Sequence, residues 1–273
     1  MGISTQALFG QLLIGLINGS FYAMLSLGLA VIFGLLNIIN FTHGAQYMLG
    51  AFCAWFLLSK WQLGYWWALV IVPPAVALTG ILIERLMLRH LYRLDHLYGL
   101  LLTFGLALVI QGLFRNEFGS SGLPYAMPAE LTGGHNLGFM FLPTYRAWVI
   151  AAPHTAFLAT WYVIERTKLG ALLRAATENA PLTQAFGINV PRMIMLTYGF
   201  GVGLAGFAGV LAAPIYQVSP QMGAELIIVV FAVVVIGGMG SIMGSIVTGF
   251  GLGIIEGLTK VFYPEASNTV IFI

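Results

Sequence analysis

Along most of the chain, apolar residues run on without the alternation of a half-buried strand or the polar stripe of a soluble helix. The runs cover roughly residues 6–36, 44–59, 64–89, 97–114, 145–164, 191–213, 224–237, 241–261 and 268–273. A membrane-crossing helix needs about 20 such residues, so most of these runs predict spans. The first is longer than one span needs and holds Asn18, Gly19 and Ser20. It predicts either an interfacial helix followed by a span or one long tilted helix. The run 224–237 is short and predicts a half-helix, or a span completed by its neighbours. The last run stops after a few residues, which reads as a final helix cut off within the sequence given. The expected fold class is an all-α polytopic membrane protein of about 8–9 transmembrane helices, forming one transmembrane domain over residues 1–273.

Composition strengthens this picture. Only 7% of the 273 residues are charged and 59% are hydrophobic, whereas a soluble domain carries about 25% charged residues. The 34 glycines suit helices that approach closely in lipid. Cys53 is alone, which excludes an intrachain disulfide and a multi-cysteine metal site. No basic segment precedes the first apolar run, so that run is expected to be retained. The basic residues cluster at Arg85, Arg89 and Arg93, and at Arg166, Lys168, Arg174 and Arg192. Cytoplasmic loops carry the excess of Lys and Arg. Loops 85–96 and 166–191 are therefore expected in the cytoplasm, with the N-terminus and the Gly- and Pro-rich loop 115–144 outside. The external loop is expected to be extended, with a short hairpin.

Three stretches carry polar chemistry. Residues 170–189 read GALLRAATENAPLTQAFGIN. Asn179 is a good N-cap, Pro181 is tolerated in the first turn that follows, and Gly187 can end the helix in a left-handed conformation. Val190 is expected extended before Pro191, where the next membrane helix begins. Lys168 to Thr177 can form a helical turn-and-a-half, and the loop is expected to hold one helix of about two turns, Ala180–Phe186, with an apolar face that needs covering. Lipid and a partner protein remain equal candidates from physics alone. The second stretch, NFTHGAQ, places Asn40, Thr42, His43 and Gln46 at the start of a membrane helix. These residues either satisfy freed backbone groups or line a polar path, together with Asn18 and Asn37. The third is Glu256, one turn before Lys260 and placed to pair with it. GVGLAG at 201–206 matches a dinucleotide fingerprint formally but lies inside one apolar run, where close helix packing explains it. No Gly-Lys pair exists, so no Walker A loop is present. The sequence points to no cofactor, metal or nucleic-acid partner, and no catalytic constellation is recognisable.

The segment 170–216 resembles the cytoplasmic loop and following helix of the permease subunits of branched-chain amino-acid (Liv-type) ABC importers. The motif residues are Gly170, Arg174, Ala175 and Asn179, then Gly187, Ile188 and Asn189. Asn40, Phe41, Thr42, His43 and Gly44 resemble the same family's Asn-Phe-Ala-His-Gly turn, with Thr42 in place of alanine. The segment 235–258 resembles its Gly-Gly-x-Gly-Ser region, and the motifs follow the family order along nearly the whole chain. The family's basic C-terminal tail is not seen. The resemblance implies that Gly170, Arg174, Ala175, Glu178, Asn179, Leu182, Phe186 and Gly187 form a coupling surface for an ATPase. It also implies a second related permease subunit, two ATP-binding subunits, an extracytoplasmic solute-binding protein and a bacterial-type inner membrane. The chain itself is then non-catalytic. Its expected cargo is a branched-chain or other apolar amino acid, moved by ATP-driven alternating access. A permease for urea or short amides is the alternative, and a self-contained secondary transporter a more distant one.

Overall fold

The computed structural model describes residues 5–36, 38–92, 94–267 and 269–272. Asn37 and Arg93 lie outside the described residues, as does Ile273, where the truncated helix is expected. Among the described residues, the regular structure is helical apart from one small hairpin. α1 (Thr5–Leu36) and α2 (Thr42–Trp61) are followed by α3 (Tyr65–Leu86) and α4 (His96–Phe118). The hairpin β1 (Gly134–Asn136) and β2 (Phe141–Pro143) precedes α5 (Thr144–Arg166). Two short helices come next, α6 (Lys168–Glu178) and α7 (Ala180–Ala185). The chain then forms α8 (Val190–Ala212), α9 (Met222–Gly237) and α10 (Ile242–Phe262).

Among the described residues, six helices are long and apolar enough to cross a membrane: α1, α3, α4, α5, α8 and α10. The expected eight or nine are reduced for two reasons. α2 opens on the polar residues Thr42, His43 and Gln46, and α9 has only 16 residues. The first apolar run forms one continuous helix of 32 residues. At 1.5 Å per residue it is about 48 Å long, against a hydrocarbon core of about 30 Å. Asn18-Gly19-Ser20 does not break it, and Ser20 satisfies its hydroxyl on the Leu16 carbonyl of its own helix, at 2.8 Å.

α1 and α8 form the buried centre, with α10 against α1, and α3 and α2 against α8. Small residues set these distances. A Cβ on Gly209 would meet the Tyr47 carbonyl at 2.2 Å, and one on Gly201 the Gly28 carbonyl at 2.7 Å. GVGLAG is thus the interior of a packing helix, as its surroundings in the sequence indicate.

The loops fall at two ends. Phe9 packs on Phe139 of the hairpin loop, Leu123 bridges Val218, and Trp66 donates to Glu130. At the other end, Ile38 and Ile39 meet Leu88, Leu91, His96 and Ile194. The described residues of both basic clusters lie at this second end.

In the loop 166–191, the turn-and-a-half expected over Lys168–Thr177 is longer. Lys168–Glu178 is a full eleven-residue helix of its own, because its apolar face packs back on α5. α8 starts one residue early, at Val190. The Asn189 side chain accepts from the Arg192 amide at 3.1 Å, and Pro191 sits in the first turn, where its missing N–H costs nothing.

Candidate functional site

The two loop helices share one capping residue. The Asn179 side chain accepts from the Leu182 amide at 3.0 Å and starts α7. Its own amide donates to Ala175 and closes α6. Gly187 ends the unit with φ +81°, as the left-handed cap requires. Of the eight residues singled out in the sequence, Gly187 is this cap and the other seven divide into two groups. Gly170 is buried against the bundle, and the half-exposed Arg174 reaches back to it. A Cβ on Gly170 would stand 1.8 Å from the Ile164 carbonyl, and the Arg174 guanidinium donates to that same carbonyl at 2.8 Å. Arg174 also lies 3.6 Å from Glu165. With buried Leu173, they clamp α6 onto the last turn of α5, where a cation suits the carbonyl end of the helix. Ala175, Glu178, Asn179, Leu182 and Phe186 instead line an open groove between α6 and α7. Phe186 is 78% exposed and Leu182 55%.

The second site is a break in the helical framework. The His43 ring meets the Leu25 carbonyl at 3.0 Å, about three turns before α1 ends at Leu36. The chain therefore turns back into the bundle after α1, and α2 begins inside it. On the other side, the Phe41 amide donates to Thr103 Oγ1 at 3.2 Å, and Oγ1 lies 3.2 Å from the Ile39 carbonyl. Thr103 is about 10 Å along α4 from its start at His96. Irregular backbone at membrane depth survives only when protein groups satisfy it, and Thr103 does so here. Valine at Thr103 keeps the shape and removes the hydroxyl. It is expected to cost about 1–3 kcal/mol, read as a lower melting temperature of the purified protein, with serine restoring most of it.

Asn40, Thr42, His43 and Gln46 converge at this break, each at most 1% exposed. Asn40 Nδ2 donates to Gln46 Oε1 at 3.1 Å, and the Thr42 hydroxyl donates to Asn40 Oδ1. Fully buried Tyr198 of α8 stands beside Thr42 and Gln46. Asn18 is elsewhere, about 10 Å further along α1 from Leu25. Its amide donates to Glu256 at 3.2 Å, the Tyr22 hydroxyl donates to the same carboxylate at 2.7 Å, and Lys260 pairs with it. Tyr216 then donates to Asn18 at 2.9 Å. The Glu256–Lys260 pair expected from the sequence is present. Sequence reasoning missed Thr103, Tyr198 and Tyr22. Their one legible signal was a hydroxyl inside an apolar run.

The family model of the branched-chain amino acid transport system permease component matches residues 11–273. The chain belongs to this family. LivH of Escherichia coli (strain K12), a high-affinity branched-chain amino acid transport system permease protein, is 30% identical over 96% of this chain and 89% of its own. BraD of Pseudomonas aeruginosa, described in the same words, is 28% identical over 96% of this chain and 90% of its own. The ribose import permease RbsC of E. coli is 29% identical over 45% of this chain and 40% of its own. No solved structure matches. As a permease of this family, the chain is a multi-pass membrane component of a transport system.

Proposed function

We propose that this permease forms part of the translocation path of an ABC importer for branched-chain or other apolar amino acids, driven by alternating access. The end bearing the basic loops faces the cytoplasm, by the distribution of Lys and Arg. There the α6–α7 groove receives one of two ATP-binding subunits. A second, related permease completes the path, and a solute-binding protein delivers cargo at the hairpin end. The observation that carries this reading is the exposed groove around Leu182 and Phe186, mounted on a clamp to α5. Movement of a docked ATPase passes from α7 to α6, through Gly170 and Arg174 to Ile164, and so to a spanning helix. Asn40, Thr42, His43 and Gln46 are the closed polar centre of the path. The ion-coupled alternative needs a free embedded acid, whereas Glu256 is held by Asn18, Tyr22 and Lys260.

Reconstitution of the chain alone, and with the second permease, the ATP-binding subunits and the solute-binding protein, tests the reading. ATP-dependent uptake of l-leucine is expected only from the complete set. Uptake by the chain alone, without ATP, sinks it.

A further inference from the structure

We propose that the cleft between the start of α1 and the hairpin is a docking site for an acidic side chain of the solute-binding protein, with Arg146 as its anchor. This rests on the transport reading above and names the chemistry by which that partner is held.

Arg146 lies in the first turn of α5, is half-buried, and lines an open cleft of about 460 Å³ with Gln6, Gly10, Asn136 and Phe141. Among the described residues it makes no hydrogen bond and no ion pair. Glu256, whose neighbour Gly257 packs on Gln11, is already taken by Asn18, Tyr22 and Lys260. Glu130 accepts from Trp66. Two effects make the position unfavourable for the chain alone. A cation in the first turn opposes the positive end of its helix, and basic residues are scarce on the outer side of a membrane. A guanidinium only donates, and its planar fork matches a carboxylate. Asn136 adds to these donors: its Oδ1 accepts from the Gly138 amide at 2.9 Å, which leaves its Nδ2 group free to donate. The cleft therefore presents a positive charge that this chain does not answer.

The second observation is the apolar rim. Leu137, Phe139 and Phe141 are exposed on the hairpin, Phe141 to 61%. Gly134 on the facing strand makes room for the Phe141 ring, since a Cβ there would stand 2.5 Å from it. Phe139 is steadied on Phe9, with 4.7 Å between ring centroids. An arginine beside fixed aromatic side chains is the pattern of an anchor in a protein interface. A free amino acid covers too little surface to bury this rim. The cleft is also about 20 Å along α1 from Leu25, where His43 meets that helix. It therefore lies apart from the polar break, at the end where the solute-binding protein arrives, and its charge selects an acid.

The test uses the permease pair with its ATP-binding subunits in nanodiscs, and reads the Kd of the leucine-loaded solute-binding protein of the same system. Arg146→Glu is expected to raise that Kd at least about ten-fold. Arg146→Lys keeps the charge, loses the fork, and is expected to raise it less. The melting temperature of Arg146→Glu stays level or rises, because the lost side chain has no partner in the chain and an acid suits a helix start. ATP hydrolysis without the binding protein is expected to be unchanged. Acidic residues of the binding protein are replaced one at a time by arginine, and one such variant is expected to restore binding to Arg146→Glu. Any of four results overturns the site: wild-type Kd in Arg146→Glu, a melting temperature that falls with the binding, no restoring variant, or a wild-type Kd that rises as far when anionic lipid is left out of the nanodiscs. The last assigns Arg146 to a lipid headgroup. ATP-driven leucine uptake by the complete wild-type system is measured in parallel. Uptake that needs the binding protein, with a failed site, removes this proposal alone. Absent uptake, or uptake that does not need the binding protein, removes the transport reading itself.

Discussion

Phe186→Ala is expected to cut ATP-driven uptake by about thirty-fold while the protein inserts, folds and melts as the wild type does. The side chain is 78% exposed and lies at the edge of the α6–α7 groove. Exposed side chains removed from packing change stability by about 0.5 kcal/mol or less. An aromatic anchor seated in a partner is different, because its truncation typically costs about 2 kcal/mol or more of binding, which corresponds to the thirty-fold loss. Uptake, ATP hydrolysis and melting temperature are measured on the same assembled preparation. Wild-type uptake, or a loss of stability that parallels the loss of uptake, would falsify the docking role of α7. Arg174→Ala provides the contrast. It opens the clamp on Ile164 and is expected to lower uptake even when the ATPase still binds, since the break then lies between α6 and α5.

Glu256→Ala is expected to destabilise the folded protein by about 3 kcal/mol, the lower end of the cost of breaking a buried ion pair. The lower end applies because the Lys260 side chain is 30% exposed and its ammonium can swing towards the surface. The substitution leaves the Tyr22 hydroxyl and the Asn18 amide without their acceptor. It also opens the junction where α1 and α10 pack through Gly15, Gly19, Gly249 and Gly253. Glu256→Gln retains an acceptor for both donors and should lose less. Thermal unfolding of the purified protein distinguishes the two variants. An unchanged melting temperature in Glu256→Ala would show that the network carries no stability.

How much was legible beforehand depended on the distance over which each signal acts. The caps at Asn179 and Gly187 were read correctly because capping is a matter of three or four neighbouring residues. The Glu256–Lys260 pair was legible for the same reason, as residues four apart share a helix face. Arg174 was read as part of a coupling surface, and its position in the motif did not reveal that its half-exposed guanidinium also donates to the Ile164 carbonyl. Asn18 was grouped with Asn40, Thr42, His43 and Gln46 because all are polar residues in or beside apolar runs. The structure separates Asn18 from the other four, which lie three turns or less around the break between α1 and α2.

By itself the sequence determined membrane residence, the distribution of basic loops and the family. Each follows from quantities that sum along the chain: apolar run length against bilayer thickness, loop charge, and motifs in order. Only the tertiary structure decided that α2 starts inside the bundle, that Thr103 satisfies the broken backbone, and that Tyr198 completes the polar cluster. Those facts join residues far apart in sequence, and the physical reason is packing. Where two helices cross is set by which small residues let their backbones meet. At Gly28 with Gly201, and at Tyr47 with Gly209, that fit fixes which polar side chains are brought together at membrane depth.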